Sequence, residues 1–159
     1  MTVVAAPTVL LVDDEEMVVT AIRSFLDLET PYRTLAYQSP LRALEALEHE
    51  RVDVVIADFM MPEMDGVEFL KTARELRPLA PRILLTGYAD LQSAILGINA
   101  AGLYHYLQKP WENAQLELVI QNAIERASLL TELVESVTAL DHANDELSGI
   151  RRRLIQAFL

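Results

Sequence analysis

The stretch VIADFMMPEMDG, Val55 to Gly66, begins with β-branched and apolar residues suited to a buried strand and then places Asp58 at the strand's end. Two methionines, a proline and an Asp-Gly pair follow at once, the composition of a turn that leads into a helix. A carboxylate closing an apolar run costs desolvation unless something compensates it. Working outward, four more short apolar runs recur: TVLLV (Thr8–Val12), RTLAY (Arg33–Tyr37), RILLT (Arg82–Thr86) and LYHYL (Leu103–Leu107). With VDVVIAD (Val52–Asp58) they predict five strands.

Amphipathic segments separate the strands. Glu15 to about Leu28 presents Val18, Ile22, Phe25 and Leu26 on one side. Ser39-Pro40 has the form of an N-cap followed by proline in the first turn, and the helix it opens runs to about Glu50. Asp65 opens a helix carrying Val67, Phe69, Leu70 and Ala73, and Asp90 one carrying Leu91, Ala94, Ile95 and Ile98. A fifth begins after Pro110. Strict alternation of strand and helix predicts a five-stranded parallel, doubly wound α/β domain of the flavodoxin-like kind over residues 1–125, followed by an extended C-terminal helix over 126–159.

The bulk composition narrows the function. The 159 residues are 52% hydrophobic and 23% charged, enough to form a packed core. A net charge of −11 argues against a nucleic-acid surface, which needs clustered Lys and Arg, and suits carboxylates gathered around a cation. The absence of cysteine excludes disulfides, thiolate metal sites and thiol catalysis. MTVVAAPTVLLV at the N-terminus is apolar but short, has no basic start and runs into acidic residues, so it makes a poor signal peptide. No run reaches the length of a membrane span, and a cytoplasmic location is expected.

In a doubly wound sheet, ligands bind beyond the carboxyl ends of the strands. There the sequence places Asp13-Asp14 after the first strand, Asp58 at the end of the third, Thr86-Gly87 at the fourth, and Lys109-Pro110 after the fifth. Each alone has an ordinary structural reading, such as a helix-dipole partner, a turn residue or a solvated charge. Gathered on one rim they point to chemistry. Crowded carboxylates call for a cation, and an oxygen-only donor set favours Mg²⁺. A magnesium ion beside a carboxylate suggests phosphoryl transfer through an aspartyl-phosphate, with Lys109 and Thr86 binding phosphoryl oxygens.

The motifs LLVDDEE, DFMMPEMDG, LLTGYAD and YLQKPW stand in an order and spacing by which residues 8 to about 125 resemble the receiver domain of bacterial two-component response regulators. The resemblance implies that Asp58 accepts a phosphoryl group from a phosphohistidine of a sensor histidine kinase. It implies that Asp14, Asp58 and the backbone carbonyl of Met60 ligate Mg²⁺ while Asp13 acts through water. It further implies that Thr86 and Tyr106 form a switch pair and that the Lys109–Pro110 bond is cis. Such a chain is no enzyme beyond the gain and loss of its own phosphoryl group. Met60 and Tyr88, at positions variable in similar domains, offer no carboxylate or amide to orient an attacking water, and slow self-dephosphorylation is expected.

Beyond Trp111 a 3-4 spacing of apolar residues runs toward the end. With Leu133, Leu140, Leu147 and Leu154 at heptad position d, Leu130, Val137, Asn144, Arg151 and Phe158 fall at a. Leucine at successive d positions with one Asn at a predicts a parallel two-stranded coiled coil, hence a homodimer. Continuous from residue 112, such a helix is ~70 Å long. The competing pattern is one amphipathic helix folded back on its own domain, and Ile150 and Ile155 leave a four-helix arrangement open. The repeat is still running at Leu159, which reads as a regulator whose output domain is absent from this chain or one that acts on a partner protein through its helix.

Three other functions compete. A phosphatase using an aspartyl-phosphate needs a second Asp two residues after the nucleophile, where this chain has Met60. A phosphotransfer helix centred on His142 lacks the flanking kinase pattern, and His49 and His105 have no metal-ligand spacing. A docking module that works without phosphorylation is the remaining alternative, against which the complete set of site residues argues.

Overall fold

The computed structural model describes residues 5–87, 90, 92, 102–141 and 148–158. Its elements run β1 (Thr8–Val12), α1 (Glu16–Glu29), β2 (Arg33–Tyr37), α2 (Pro40–His49), β3 (Val54–Asp58), α3 (Gly66–Leu76), β4 (Arg82–Thr86), β5 (His105–Gln108), α4 (Asn113–Asp141) and α5 (Ser148–Phe158). The strands form one parallel sheet in the order β2-β1-β3-β4-β5. The helix expected from Asp90 onward falls on Leu91, Ala94, Ile95 and Ile98, which lie outside the described residues.

The period-2 alternation of the central strands divides the core. Leu10, Val12, Val55, Ala57 and Leu84 pack on one face against Ala43 and Leu47 of α2 and Phe69, Leu70 and Ala73 of α3. Val9, Leu11, Val54, Ile56, Ile83 and Leu85 pack on the other against Val19, Ile22 and Leu26 of α1 and Leu116, Val119, Ile120 and Ala123 of α4. Covering both faces is what makes β1, β3 and β4 read as unbroken apolar runs.

The helix starts follow their capping residues. Ser39 Oγ accepts a hydrogen bond from the Arg42 amide and Asp65 Oδ1 one from the Glu68 amide at 2.9 Å. Two strand bounds differ from expectation. β3 starts at Val54 because Asp53 turns its side chain to the Thr8 amide, 2.8 Å away, and donates its own amide to the Thr8 carbonyl. β5 starts at His105, two residues late, because pairing begins at Ile83↔His105 while the buried Arg82 guanidinium holds the Gly102 carbonyl at 2.9 and 3.2 Å.

The loop after β3 closes tightly. The Gly66 amide donates to the Phe59 carbonyl at 2.9 Å, and a Cβ on Gly66 would overlap the Asp58 carbonyl group and press on the Leu84 side chain. Neither the backbone oxygen nor the packed leucine can give way. Gly66→Val is therefore expected to cost more than about 3 kcal/mol in urea unfolding, while Val67→Ala at the next, also buried, position costs about 1–2. Equal losses at the two positions would show that close backbone approach is not what selects glycine.

The extended C-terminal helix is present, but the continuous ~70 Å rod is not. α4 spans 29 residues, and α5 then returns along it, with Phe158 beside Asn122, Leu129, Leu130 and Leu133. Of the expected coiled-coil positions, Leu130 and Val137 are buried within the chain, Leu133 and Leu140 are exposed and Leu154 is half-buried. Asn144, Leu147 and His142 lie outside the described residues. Within the chain, Leu130 and Phe158 line one groove that also reaches the receiver-side residues Ala80 and Leu103.

Candidate functional site

Register alone brings the site together. Val12 pairs with Ala57, so Asp13 and Asp58 leave neighbouring strands at the same level. Asp58 lies opposite Leu85, one residue before Thr86, and Thr86 pairs with Gln108, one residue before Lys109. Backbone hydrogen bonds lock these exits: Asp13 N–H to the Tyr37 carbonyl at 3.1 Å, Phe59 N–H to Leu85 at 2.9 Å, and Lys109 N–H to Thr86 at 2.7 Å. The Lys109–Pro110 bond is cis.

Asp13 and Asp58 are buried and Asp14 is exposed, and oxygens of the three carboxylates lie within 4.8 Å of one another. Lys109 Nζ is 2.8 Å from Asp13 Oδ2, 3.0 Å from Asp58 Oδ1 and 3.6 Å from Glu15 Oε1. Both Asp13 oxygens are engaged, since its Oδ1 also accepts the Glu15 amide at 2.9 Å. Among the described residues, one cation thus faces Asp13, Asp58 and the exposed Glu15, with Asp14 beside them, which leaves the pocket over-supplied with negative charge.

The titration of the groups reflects that imbalance. Burial, reinforced by the charge of Asp13, outweighs the Lys109 hydrogen bond and pushes Asp58 up from 3.8 to about 6. Burial also raises Asp13 against the pull of Lys109. Burial alone would lower Lys109, but its bonds to Asp13 and Asp58 prevail and hold it above the usual lysine value. Such an oxygen-only, electron-rich pocket fits a hard divalent cation such as Mg²⁺.

Thr86 is fully buried, and its hydroxyl has no hydrogen-bond partner among the described residues. A buried unpaired hydroxyl is costly and calls for a ligand oxygen or a moving partner. Tyr106 is 38% exposed on β5 at the sheet's edge and shares the lining of one pocket with Lys109 and Pro110. The Met60 side chain is 58% exposed, whereas Met61 is buried in the core beneath the loop. The sequence reading missed Glu15 as a third anion for Lys109 and Gly66 as the residue on which the Asp58 backbone rests. The acidic run DDEE and the Asp65-Gly66 pair were the available signals.

A family model for the response regulator receiver domain matches residues 9–121. The chain is 41% identical over 122 residues to the hydrogenase transcriptional regulatory protein HoxA of Cupriavidus necator, covering 77% of this chain and 25% of that one. It is 35% identical over 147 residues to the transcriptional regulatory protein FixJ of Rhizobium meliloti, covering 92% of this chain and 66% of that one. Among solved structures, the signal receiver domain of an HD domain-containing protein from Pseudomonas fluorescens is similar at a TM-score of 0.77 and 34% identity, covering 83% of this chain and 96% of that one. The chain therefore spans about a quarter of the length of HoxA.

Proposed function

This chain belongs to the response regulator receiver domain family, and from that premise we propose that Asp58 accepts a phosphoryl group from a sensor histidine kinase. The observation that supports this most is the pocket itself: Asp58 buried at a strand end, within 3.0 Å of Lys109 and beside two more carboxylates. The Asp58 carboxylate attacks the phosphorus of the kinase's phosphohistidine. A P–O bond forms, the P–N bond breaks, and the electron pair leaves on the imidazole nitrogen.

Asp14, Asp58 and the Met60 carbonyl would hold Mg²⁺, with Asp13 acting through water, a division consistent with both Asp13 oxygens being already engaged. When bound, the ion supplies positive charge that offsets the carboxylates and the incoming phosphoryl oxygens. Lys109 supplies a fixed ammonium to the phosphoryl group, and the unpaired Thr86 hydroxyl a donor. Thr86 and Tyr106 serve as the switch pair, with Thr86 drawn to the phosphoryl group and the exposed Tyr106 ring following inward. The chain acts as no enzyme beyond these steps, and no described helix is long and apolar enough to cross a membrane. We place it in the cytoplasm, as a relay to an output domain or partner protein through its C-terminal helices.

The test is incubation with Mg²⁺ and acetyl phosphate followed by intact mass. A gain of one phosphoryl group that EDTA prevents is expected, and no gain would contradict the reading. With no carboxylate or amide at Met60, the gain is expected to persist for many minutes after the donor is removed. Decay within seconds would show that water is oriented by some other group.

A further inference from the structure

The loop after β3 carries a sulfur that the phosphoryl reading leaves unused. The chain has no cysteine, so its methionines are the sulfurs open to peroxides. Among the described residues Met61 is buried and Met64 half-buried, whereas Met17 is 84% and Met60 58% exposed. Access decides which thioether an oxidant reaches first, so Met17 and Met60 are the candidates.

Position separates the two. Met17 points away from the buried side of α1, which is made by Val19, Ile22 and Leu26. Met60 stands beside the reactive carboxylate, because the alternation of β3 continues past the strand's end. Val55, Ala57 and Phe59 belong to the core on the α2–α3 side, and the Phe59 amide still donates to the Leu85 carbonyl at 2.9 Å. Val54 and Ile56 lie on the other side of the sheet, and Asp58 and Met60 follow them in register. At ~3.3 Å per residue the Cα atoms of Asp58 and Met60 are roughly 6–7 Å apart, within reach of a long side chain. Lys109 thus stands 3.0 Å from the buried Asp58 carboxylate, and the exposed Met60 thioether is its neighbour along the chain.

We propose that Met60 is a modification site: a hydroperoxide oxidises it to the sulfoxide, and the oxidised side chain shortens the life of the phosphoryl group on Asp58. A sulfur lone pair attacks the peroxide oxygen, the O–O bond breaks, and hydrogen peroxide leaves as water while the thioether becomes a sulfoxide. The new oxygen is bonded to Sδ, as the Oε1 of a glutamine is bonded to Cδ. Oxidation therefore turns an apolar side chain into a near-copy of glutamine, with the hydrogen-bond acceptor that position 60 otherwise lacks. A water held by that oxygen attacks phosphorus and the P–O bond to Asp58 breaks. The carboxylate is regenerated, inorganic phosphate leaves, and the proton of the water passes to solvent. The inference rests on Asp58 being the phosphoryl acceptor, and it makes the duration of the signal sensitive to peroxide in a chain with no thiol to sense it.

The test uses the full chain carrying Met17→Leu, so that the other exposed thioether is removed. The protein is treated with hydrogen peroxide, cleared of it with catalase, and phosphorylated with Mg²⁺ and acetyl phosphate. Intact mass then follows the phosphoryl group after the donor is removed, and peptide mass locates the sulfoxide. Oxygen at Met60 is expected, with a phosphoryl half-life at least about tenfold shorter than in the untreated protein. Methionine sulfoxide reductases are expected to return the half-life to its starting value. Met60→Gln is expected to give the short half-life without peroxide. With Met60→Leu added, the half-life, whatever its length, is expected to be the same before and after treatment. A Met60 that stays unoxidised, an oxidised Met60 with an unchanged half-life, or equal shortening in the Met60→Leu variant would overturn the proposal. So would an oxidised protein that takes up no phosphoryl group, because the sulfoxide would then act on entry and not on lifetime. Uptake with one half-life in both forms overturns this inference alone, whereas no uptake before treatment overturns the phosphoryl reading and this inference with it.

Discussion

An Asp58→Asn variant is expected to take up no phosphoryl group and yet to be more stable than the parent protein in the absence of divalent cations. Both effects have one origin. Asp58 is 5% exposed, and burial together with Asp13 holds its carboxyl at about 6. A carboxyl that is raised in the folded state binds its proton more tightly there than in the unfolded chain, so stability falls as pH climbs from about 4 through about 6. Above that range the cost is fully expressed, about 2–3 kcal/mol. Asparagine has the same shape, can still accept from Lys109, and carries no charge. In urea titrations at about pH 8 without metal the variant is expected to gain roughly that amount, and near pH 4 to gain nothing. A variant destabilised at pH 8 would mean that the charge of Asp58 is fully compensated by Lys109 and that the pocket has no need of a cation.

Removing the lysine has the opposite sign. Lys109→Ala leaves Asp13 and Asp58 buried without the one ammonium that pairs with them among the described residues, at 2.8 and 3.0 Å respectively. Breaking a buried ion pair from one side costs about 3–5 kcal/mol, and that loss is expected near pH 8 in metal-free urea unfolding. Because Lys109 is raised above its ordinary value, its contribution is complete below that value and is lost only as pH rises through the folded one. On the acid side the loss shrinks as Asp58 and Asp13 take up protons. Uptake from acetyl phosphate is expected to slow at least about tenfold, since a fixed charge aimed at the phosphoryl oxygens is gone. Lys109→Arg is expected to recover little of either, because a planar fork does not replace a compact ammonium shared by two carboxylates. A change under about 1 kcal/mol would place Lys109 in solvent rather than in the pocket.

The strands were legible because the sheet is covered on both faces, so that β1, β3 and β4 each spell an apolar run closed by a polar residue. The site was legible for the same reason: parallel strands bring their carboxyl ends to one rim, and Asp13, Asp58, Thr86 and Lys109 are the residues found there. The edge strand was harder to place. Only Leu107 of β5 is buried, and its start depends on Arg82 reaching the Gly102 carbonyl, a long-range contact that local pattern does not encode. The division of the tail into two helices was not legible because a 3-4 repeat states that a helix has an apolar side without stating what covers it. Leu130 and Val137 are buried within the chain, while Leu133 and Leu140, spaced just as well, are left outside. Gly66 was legible only as part of a turn, because its closer role lies in the distance to the Asp58 carbonyl, which spacing in sequence does not reveal.

The most direct measurement of what this molecule does is to find which aspartate carries the phosphoryl group. After incubation with Mg²⁺ and acetyl phosphate, borohydride reduces an acyl phosphate to an alcohol and so converts a phosphorylated aspartate to homoserine, which peptide mass spectrometry locates. Homoserine at position 58, with Asp13 and Asp14 unaltered, is the predicted result. Homoserine at Asp13 or Asp14, or no homoserine at all, would contradict it.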